Sequence, residues 1–539
     1  MRKSILTICL LLLTTTAFAQ ADLQKVRIND FSGGMVTNIL ADILQPNQSV
    51  LASNVEIAKK GIISKRKGQA LFASDVNSAA FTGLGRFDPD PSTSFMVMAS
   101  GSSIATARNA SSNWTVINTA SPFSVGYATQ FVQANDLLFI LNGSDRTAWW
   151  DGSVYTQGND WGNASPPTGT TAAWLRNYLF IAGRPGTEDW IYVSTNLEPK
   201  LYDADDIVKV NTGDGQAIKH LEPYRLNELI AYKERSVYVL DITGDPPSTC
   251  TTNCWTIQPI SKSVGLLAAR SVVSLGNDQW FLSSDPIAIR SLVRTNLDKI
   301  LVDNISTPIQ DIFDGTGTPS LNRNMAWKAA AVLHNNKYFL AIPTGDSTVN
   351  NTVLIYDFNV KGWTIISGWS PAYWQIFDSR LFFADANVGR VIEVLTGTRG
   401  DFAASQVSII STTVPAQPIP FFYITKAIDF DQPENFKSLD AIEVEMEASG
   451  NYTATVSINI DDGGWIDVGT INLSSDAVTL PTTFTFTAEG NLTARKTFQV
   501  QQYGEFKKIK VRVRQEGLGQ LAVLQRITIF GRVRPWRRE

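Results

Sequence analysis

The stretch Val353–Trp363, VLIYDFNVKGW, constrains the fold more than any other part of the chain. Val353, Leu354, Ile355 and Tyr356 are β-branched or bulky apolar residues, the types that fit a half-buried pleated strand. Asp357 and Asn359 can bond their own backbone in a turn, Gly362 accepts a positive φ, and Trp363 opens the next strand. The same order recurs in degenerate form. Leu137–Ile140 is followed by Trp149-Trp150-Asp151-Gly152, Leu179–Gly183 by Trp190–Ser194, and Val237–Asp241 by a turn and Trp255. A chain of antiparallel sheets is expected.

The apolar share of 44 % and charged share of 18 % in 539 residues allow a sizeable core and argue against global disorder. Stacked sheets suit the 14 Trp and 27 Phe. A net charge of −4 gives no global bias toward nucleic acid. Only His220 and His334 are present, far apart, which works against His-based catalysis and multi-His metal sites. No G-x-S-x-G, H-E-x-x-H or Walker phosphate loop occurs, so no catalytic residue, cofactor or resident metal is expected.

Residues 1–19 have the pattern of a secretory signal: Arg2-Lys3, an apolar run through Leu13, then Ala17-Phe18-Ala19 before Gln20. An uncleaved anchor or a misplaced start is the alternative. No later stretch approaches the roughly 20 apolar residues of a spanning helix, so no membrane span is expected in the mature chain. Cleavage would remove Cys9 and leave Cys250 and Cys254, in CTTNC, either as a small loop disulfide or as two free thiols. A metal site would need more ligands than this pair offers.

Residues 20–74 are expected to form an N-terminal arm with the first strands, with turns at Gly33-Gly34 and Pro46-Asn47. Lys65-Arg66-Lys67 suggests either a solvated turn or an anion patch. Over 75–410 strands and polar turns alternate, and an irregular repeat of about 40–60 residues predicts a degenerate β-propeller of about six blades. Within it, Ile305, Ile309 and Ile312 fall at helical spacing in Ile300–Phe313, but Pro308 would break the run, so a packed linker with one helical turn is expected.

Residues 411–424 are expected to be a Ser/Thr/Pro linker, and 425–539 a β-sandwich with a basic C-terminal tail. Ile442–Glu447, Thr453–Ile460 and Lys508–Arg514 alternate as strands with one wet face, and Asp462-Gly463-Gly464 supplies a hairpin turn. Opposite charges attract across neighbouring strands, so Glu443, Glu445 and Glu447 are candidates to pair with the basic face of Lys508–Arg514. Asp203, Asp205 and Asp206 suggest a solvated turn or, less well, a calcium site. Two facing carboxylates in a propeller channel, as in a glycosidase, are compatible with the sequence.

From Lys507 to Arg538 there are ten Lys or Arg against one acid, Glu516. Such a patch can dock an acidic partner, bind phosphate backbone, or stay solvated. Several stretches, taken in order, resemble the tail nozzle or tail tubular protein B-like β-propeller proteins of short-tailed phages. They are Asp30–Met35, Leu44-x-Pro46-Asn47-Gln48, Asn54-Val55, Lys65–Gly68, Ser263-Val264-Gly265, Asp278–Ser283, Tyr338–Pro343, Tyr356-Asp357 with Gly362-Trp363, and Ile529–Pro535.

That resemblance implies a non-enzymatic virion structural protein in the tail, a ring homo-oligomer (a hexamer by resemblance) that contacts adjacent tail proteins. DNA passes through the channel without specific binding. Arg532, Arg534, Trp536, Arg537 and Arg538 are then candidates for the assembly interface. The signal-like segment departs from the family. It keeps open a secreted or periplasmic propeller that binds surface glycans or proteins, with Trp149, Trp150, Trp369 and Trp374 either stacking on sugars or filling the core. A glycan hydrolase or lyase comes third.

Overall fold

The computed structural model describes residues 22–534 except 59–60, 74–78, 110–112, 160–164, 295–299, 398–399, 403–415 and 475–492. The signal-like segment, Trp536, Arg537 and Arg538 lie outside the described residues.

Strand–turn–strand units dominate, as the sequence predicts. In the opening example Thr352–Asp357 pairs antiparallel with Gly362–Ser367, Asp357 opposite Gly362. Asp357 Oδ1 accepts the Asn359 backbone N–H at 2.9 Å, as an Asx turn requires. The left-handed residue is Lys361 (φ 57°), not the expected Gly362. Gly362 is needed for close approach instead: a Cβ there would meet Ser32 O at 3.0 Å.

Six four-stranded sheets form blades, with first strands Phe81–Asp90, Gln130–Ala134, Thr171–Leu175, Ile218–Tyr224, Val273–Ser274 and Pro371–Phe377. A further four-stranded unit, Ala330–His334 to Gly362–Ser367, stands in the ring before the last of these and belongs to a nine-stranded sheet. The fold is therefore all-β and a propeller, with six separate blades and one merged. Apolar faces between neighbouring blades form separate core clusters, such as Phe87, Val97, Leu138, Ile140 and Trp150 between the first two.

The ring closes through the N-terminal segment. The last blade takes its outer strand from Gly68–Phe72, with Val391 opposite Phe72. Ser49–Ser53 meets Gly362–Ser367 in parallel at Ser53 and Ile365, and pairs antiparallel with Phe421–Thr425. The first strands expected within 20–74 thus pair with both the propeller and the sandwich. Of the expected linker, 411–415 lies outside the described residues, whereas Ala416–Pro418 and Phe421–Thr425 are strands. An exposed edge strand presents unpaired N–H and C=O groups. At this propeller edge Met35 N and Asn54 N donate to Trp363 O and Ile365 O, and one sheet runs from the blade through Ser49–Ser53 and Phe421–Thr425 to the sandwich.

The second sheet contains Lys437–Glu447, Thr493–Gln499 and Val523–Val533, with Leu23–Ile28 paired to the last. Its inward Ile442, Val444, Met446, Ile527 and Ile529 share a cluster with Val456, Ile458, Val511 and Val513 of the first sheet. The acidic and basic rows lie on these opposite sheets, so their wet faces point apart and the expected pairing does not form. Glu445 instead receives Arg526, and Arg495 at 3.1 Å. Lys510 reaches Asp462 at 2.7 Å and Arg514 reaches Asp467 at 2.7 Å. Ile300–Asn304 is a blade strand, followed by the 3-10 turn Thr307–Ile309 and the short helix Gln310–Asp314, so the single helical turn is found after Pro308.

One buried ion pair inside the propeller gives a pH prediction. Lys233 Nζ is fully buried and lies 2.9 Å from Asp214 Oδ1. Desolvation raises the Asp214 carboxyl, but hydrogen bonds from Lys233, Gln216 and Asn211 outweigh it and hold the group below its usual value. A depressed carboxylate contributes stability above the unfolded value, about 3.9, that is lost as pH falls through the lower folded value. Asp214→Asn should lower the urea midpoint at pH 7 and flatten its fall toward pH 3. An acid limb as steep as wild type would place the effect on other groups.

Candidate functional site

Most of the N-terminal motifs converge on the joint between propeller and sandwich. Met35 N donates to Trp363 O at 2.7 Å, Ser49 N to Gly34 O at 2.9 Å, and Gly33 N to Asn47 O at 3.1 Å. Gly34 has φ 65°, and a Cβ on it would lie 2.7 Å from Trp363 N. Asn54 N donates to Ile365 O at 2.8 Å, and Asn54 Nδ2 to Pro420 O at 2.7 Å. One asparagine therefore bonds blade and sandwich strand at once.

Arg66 sits at the centre of this joint with no exposed side-chain surface. Its guanidinium donates to Asn54 Oδ1 at 2.8 Å, to Ser367 O at 3.2 Å, and to both carboxylate oxygens of Asp401. It also lies 4.7 Å above the Trp369 ring. Lys65 Nζ donates to Gln515 Oε1 at 2.7 Å and Gly517 O at 2.9 Å, both in the sandwich. Neither an anion patch nor a solvated turn describes Lys65 and Arg66; only Lys67 is exposed. Arg66 is paired with Asp401 and Lys65 donates to two neutral oxygens, so both buried cations are hydrogen-bonded inside the joint, as burial of a charge requires.

The other expected residues are placed as follows. Cys250 and Cys254 are joined as a disulfide. Arg532 Nε lies 2.9 Å from Asp440 Oδ2 and Arg534 Nη1 lies 2.5 Å from Glu505 Oε1, so these tail bases meet acids of their own chain. Asp203 and Asp205 are exposed on the strand Glu198–Lys209, whereas Asp206 turns inward and accepts Ser248 N at 2.9 Å. Strand alternation thus separates Asp206 from Asp203 and Asp205. Among the described residues no group of three or more acidic, Cys or His side chains converges as a metal site. Trp150, Trp369 and Trp374 are buried in blade cores and Trp149 is partly buried, which answers the sugar-or-core alternative in favour of the core.

Two concave places remain. One, of about 320 Å³, lies where the merged blade, the last blade and the Val55–Ile57 hairpin meet. His334, Lys337, Asp357, Arg380 and Glu393 line it. Four of its charges form pairs, Lys337 with Asp357 at 3.2 Å and Arg380 with Glu393 at 3.0 Å. Burial pushes the His334 imidazole below its usual value.

The other is the channel mouth, where the first strands of the blades begin. Two adjoining hollows of about 230 Å³ each share Ala128, Arg270 and Tyr373. Trp327, 55 % exposed, stands on the rim. Sequence reasoning missed Arg270 and Trp327. Neither belongs to a motif, and only ring closure brings the 3-10 turn Ala269–Ser271 beside Pro371–Phe377.

No family model matches the sequence, and no curated protein matches it. Solved structures do. YCF48 bound to a D1 peptide is 11 % identical over 61 % of this chain and 98 % of its own, with a TM-score of 0.37. The Pan2 WD40 domain of Neurospora crassa is 9 % identical over 61 % and 95 %, also with a TM-score of 0.37. Such identities speak to fold alone. No helix among the described residues is long and apolar enough to cross a membrane.

Proposed function

We propose that this chain is a non-enzymatic virion structural protein, a tail nozzle component that forms a ring with copies of itself around the DNA-exit channel and meets adjacent tail proteins. One observation carries the reading. The stretches through which the sequence resembles that family, Ser32–Met35, Asn47, Asn54, Lys65-Arg66 and Gly362-Trp363, meet at the joint that welds propeller to sandwich. Residues that fix one domain against another suit a load-bearing part, whereas an enzyme would gather such residues at an open cleft. The ion pairing of Lys508–Arg514 with Asp462 and Asp467 also supports it, because compensated bases hold phosphate weakly and let DNA slide.

Peptide mass spectrometry on purified phage particles and on host periplasmic and medium fractions tests the reading. Tail-like copy number in particles, with a ring by native mass measurement, is expected. Protein found only outside particles, beginning at Gln20, would overturn it. The Cys250–Cys254 disulfide and the signal-like segment favour a second reading, an exported propeller that binds surface glycans or proteins. That reading fails if the protein occurs in particles alone.

A further inference from the structure

Blade first strands line a propeller channel, so residues at their starts converge from many blades onto one small volume. Here those starts carry the cations Lys219, Arg270 and Lys328 beside the imidazole of His220, and among the described residues they contribute no carboxylate to the lining of either hollow. This is unexpected in a chain of net charge −4. Lys219 and His220 have acids nearby, Glu234 at 3.9 Å and Glu222 at 3.1 Å. Among the described residues Arg270 and Lys328 have no ion pair.

Arg270 donates to the Ala372 and Lys328 carbonyls at 2.9 and 3.1 Å and stacks 4.4 Å from the Tyr373 ring. That geometry fixes the guanidinium in a rigid wall while leaving part of its donor fork uncommitted. Lys328 Nζ donates to the Thr348 carbonyl at 2.8 Å and lies 5.4 Å from the centre of the Trp327 ring. Beside them stands the half-exposed indole of Trp327, with Thr82 and Asn350 in the same lining.

We propose that this channel mouth binds a carboxylate-bearing sugar, a uronic acid or related acidic glycan unit. A guanidinium and an ammonium without carboxylate partners suit the ligand's carboxylate. An exposed indole suits the apolar face of a sugar ring, and the hydroxyl and amide groups suit its hydroxyls. The hollows are compact, about 230 Å³ each. The inference goes beyond both functional readings, because binding is a property of the purified chain wherever the glycan is met.

The test is titration calorimetry of the full chain with a galacturonic acid oligomer, a neutral galactose oligomer of equal length, and poly-glutamate. Binding of the acidic sugar alone is expected, weakening with salt. Trp327→Ala should weaken it about tenfold, the scale of one aromatic contact. Lys328→Gln should do likewise through one charge-assisted bond, about tenfold. Both side chains lie on the rim, and an unfolding midpoint equal to wild type confirms that each variant folds. No binding, equal binding of poly-glutamate, or acidic-sugar binding indifferent to both variants overturns the proposal. Particle and fraction mass spectrometry decides the export reading separately, so each can fail alone.

Discussion

Arg66→Met should destabilise the protein by about 3–5 kcal/mol, the range for removing one partner of a buried ion pair. The substitution keeps much of the apolar stem but leaves Asp401, 5 % exposed, without its guanidinium. It also removes one donor from Ser367 O and one from Asn54 Oδ1, which keeps only the longer bond from Ser367 N at 3.3 Å. A buried acceptor left unmade carries its full desolvation cost. The double variant Arg66→Met with Asp401→Leu should recover much of the loss, because the uncompensated charge disappears. Lys67→Met, one residue on and exposed, should stay within about 0.5 kcal/mol of wild type. Chemical unfolding of the three variants checks this. Equal midpoints for Arg66→Met and Lys67→Met would show that the joint does not depend on the buried pair.

Gly34→Ala should cost about 2–5 kcal/mol, or prevent folding at 37 °C, through two effects that add. An L-residue at φ 65° pays about 1–2 kcal/mol in the left-handed region. The new methyl would also lie 2.7 Å from Trp363 N and 2.8 Å from Gly362 Cα. Those neighbours are backbone atoms of a blade strand and cannot rotate away, so the strand must move, at about 1–3 kcal/mol for such overpacking. Moving it strains the Met35 N to Trp363 O bond, and with it the contact that seats the N-terminal segment on the propeller. Gly186→Ala is the control: its φ is 86° but a Cβ there meets nothing within 4 Å, so it should pay only the backbone part. If the two alanines cost the same, close packing against Trp363 has no weight.

Local strands and turns were legible because their cause is local. Asp357 with Asn359 marked one turn, and Asp151 marked another by accepting Ser153 N and Val154 N. Alternation in Ile442–Glu447 and Lys508–Arg514 named the inward residues correctly, since Ile442, Val444, Val511 and Val513 are fully buried. It did not say which sheet each strand joins. Hence the acidic row was matched to the wrong bases, and Arg495 and Arg526 were overlooked as its partners. Lys65 and Arg66 misled for a related reason. A charged pair beside a glycine is usually wet, and nothing near it in sequence announces Asp401 or Gln515.

The candidate site was less legible than the fold. Trp149, Trp150, Trp369 and Trp374 stood out in sequence, yet all but Trp149 fill blade cores; among the described residues the exposed tryptophan is Trp327. A tryptophan in a strand pattern looks the same whether its face meets another blade or water.

The sequence by itself determined the strand segments, their turns, the propeller-plus-sandwich class and the inward face of most strands. Period-two alternation and turn chemistry act within a few residues, so they need no partner to be recognised. Tertiary structure alone decided that Gly68–Phe72 closes the last blade and that Ser49–Ser53 joins two sheets into one. It also turned Arg66 from a surface base into the centre of a joint and collected Arg270, Lys328 and Trp327 at one mouth. These are choices of partner among many apolar faces and strand edges. They are settled by which pairing buries both faces and satisfies every backbone group at once, a condition on the whole chain that no single stretch contains.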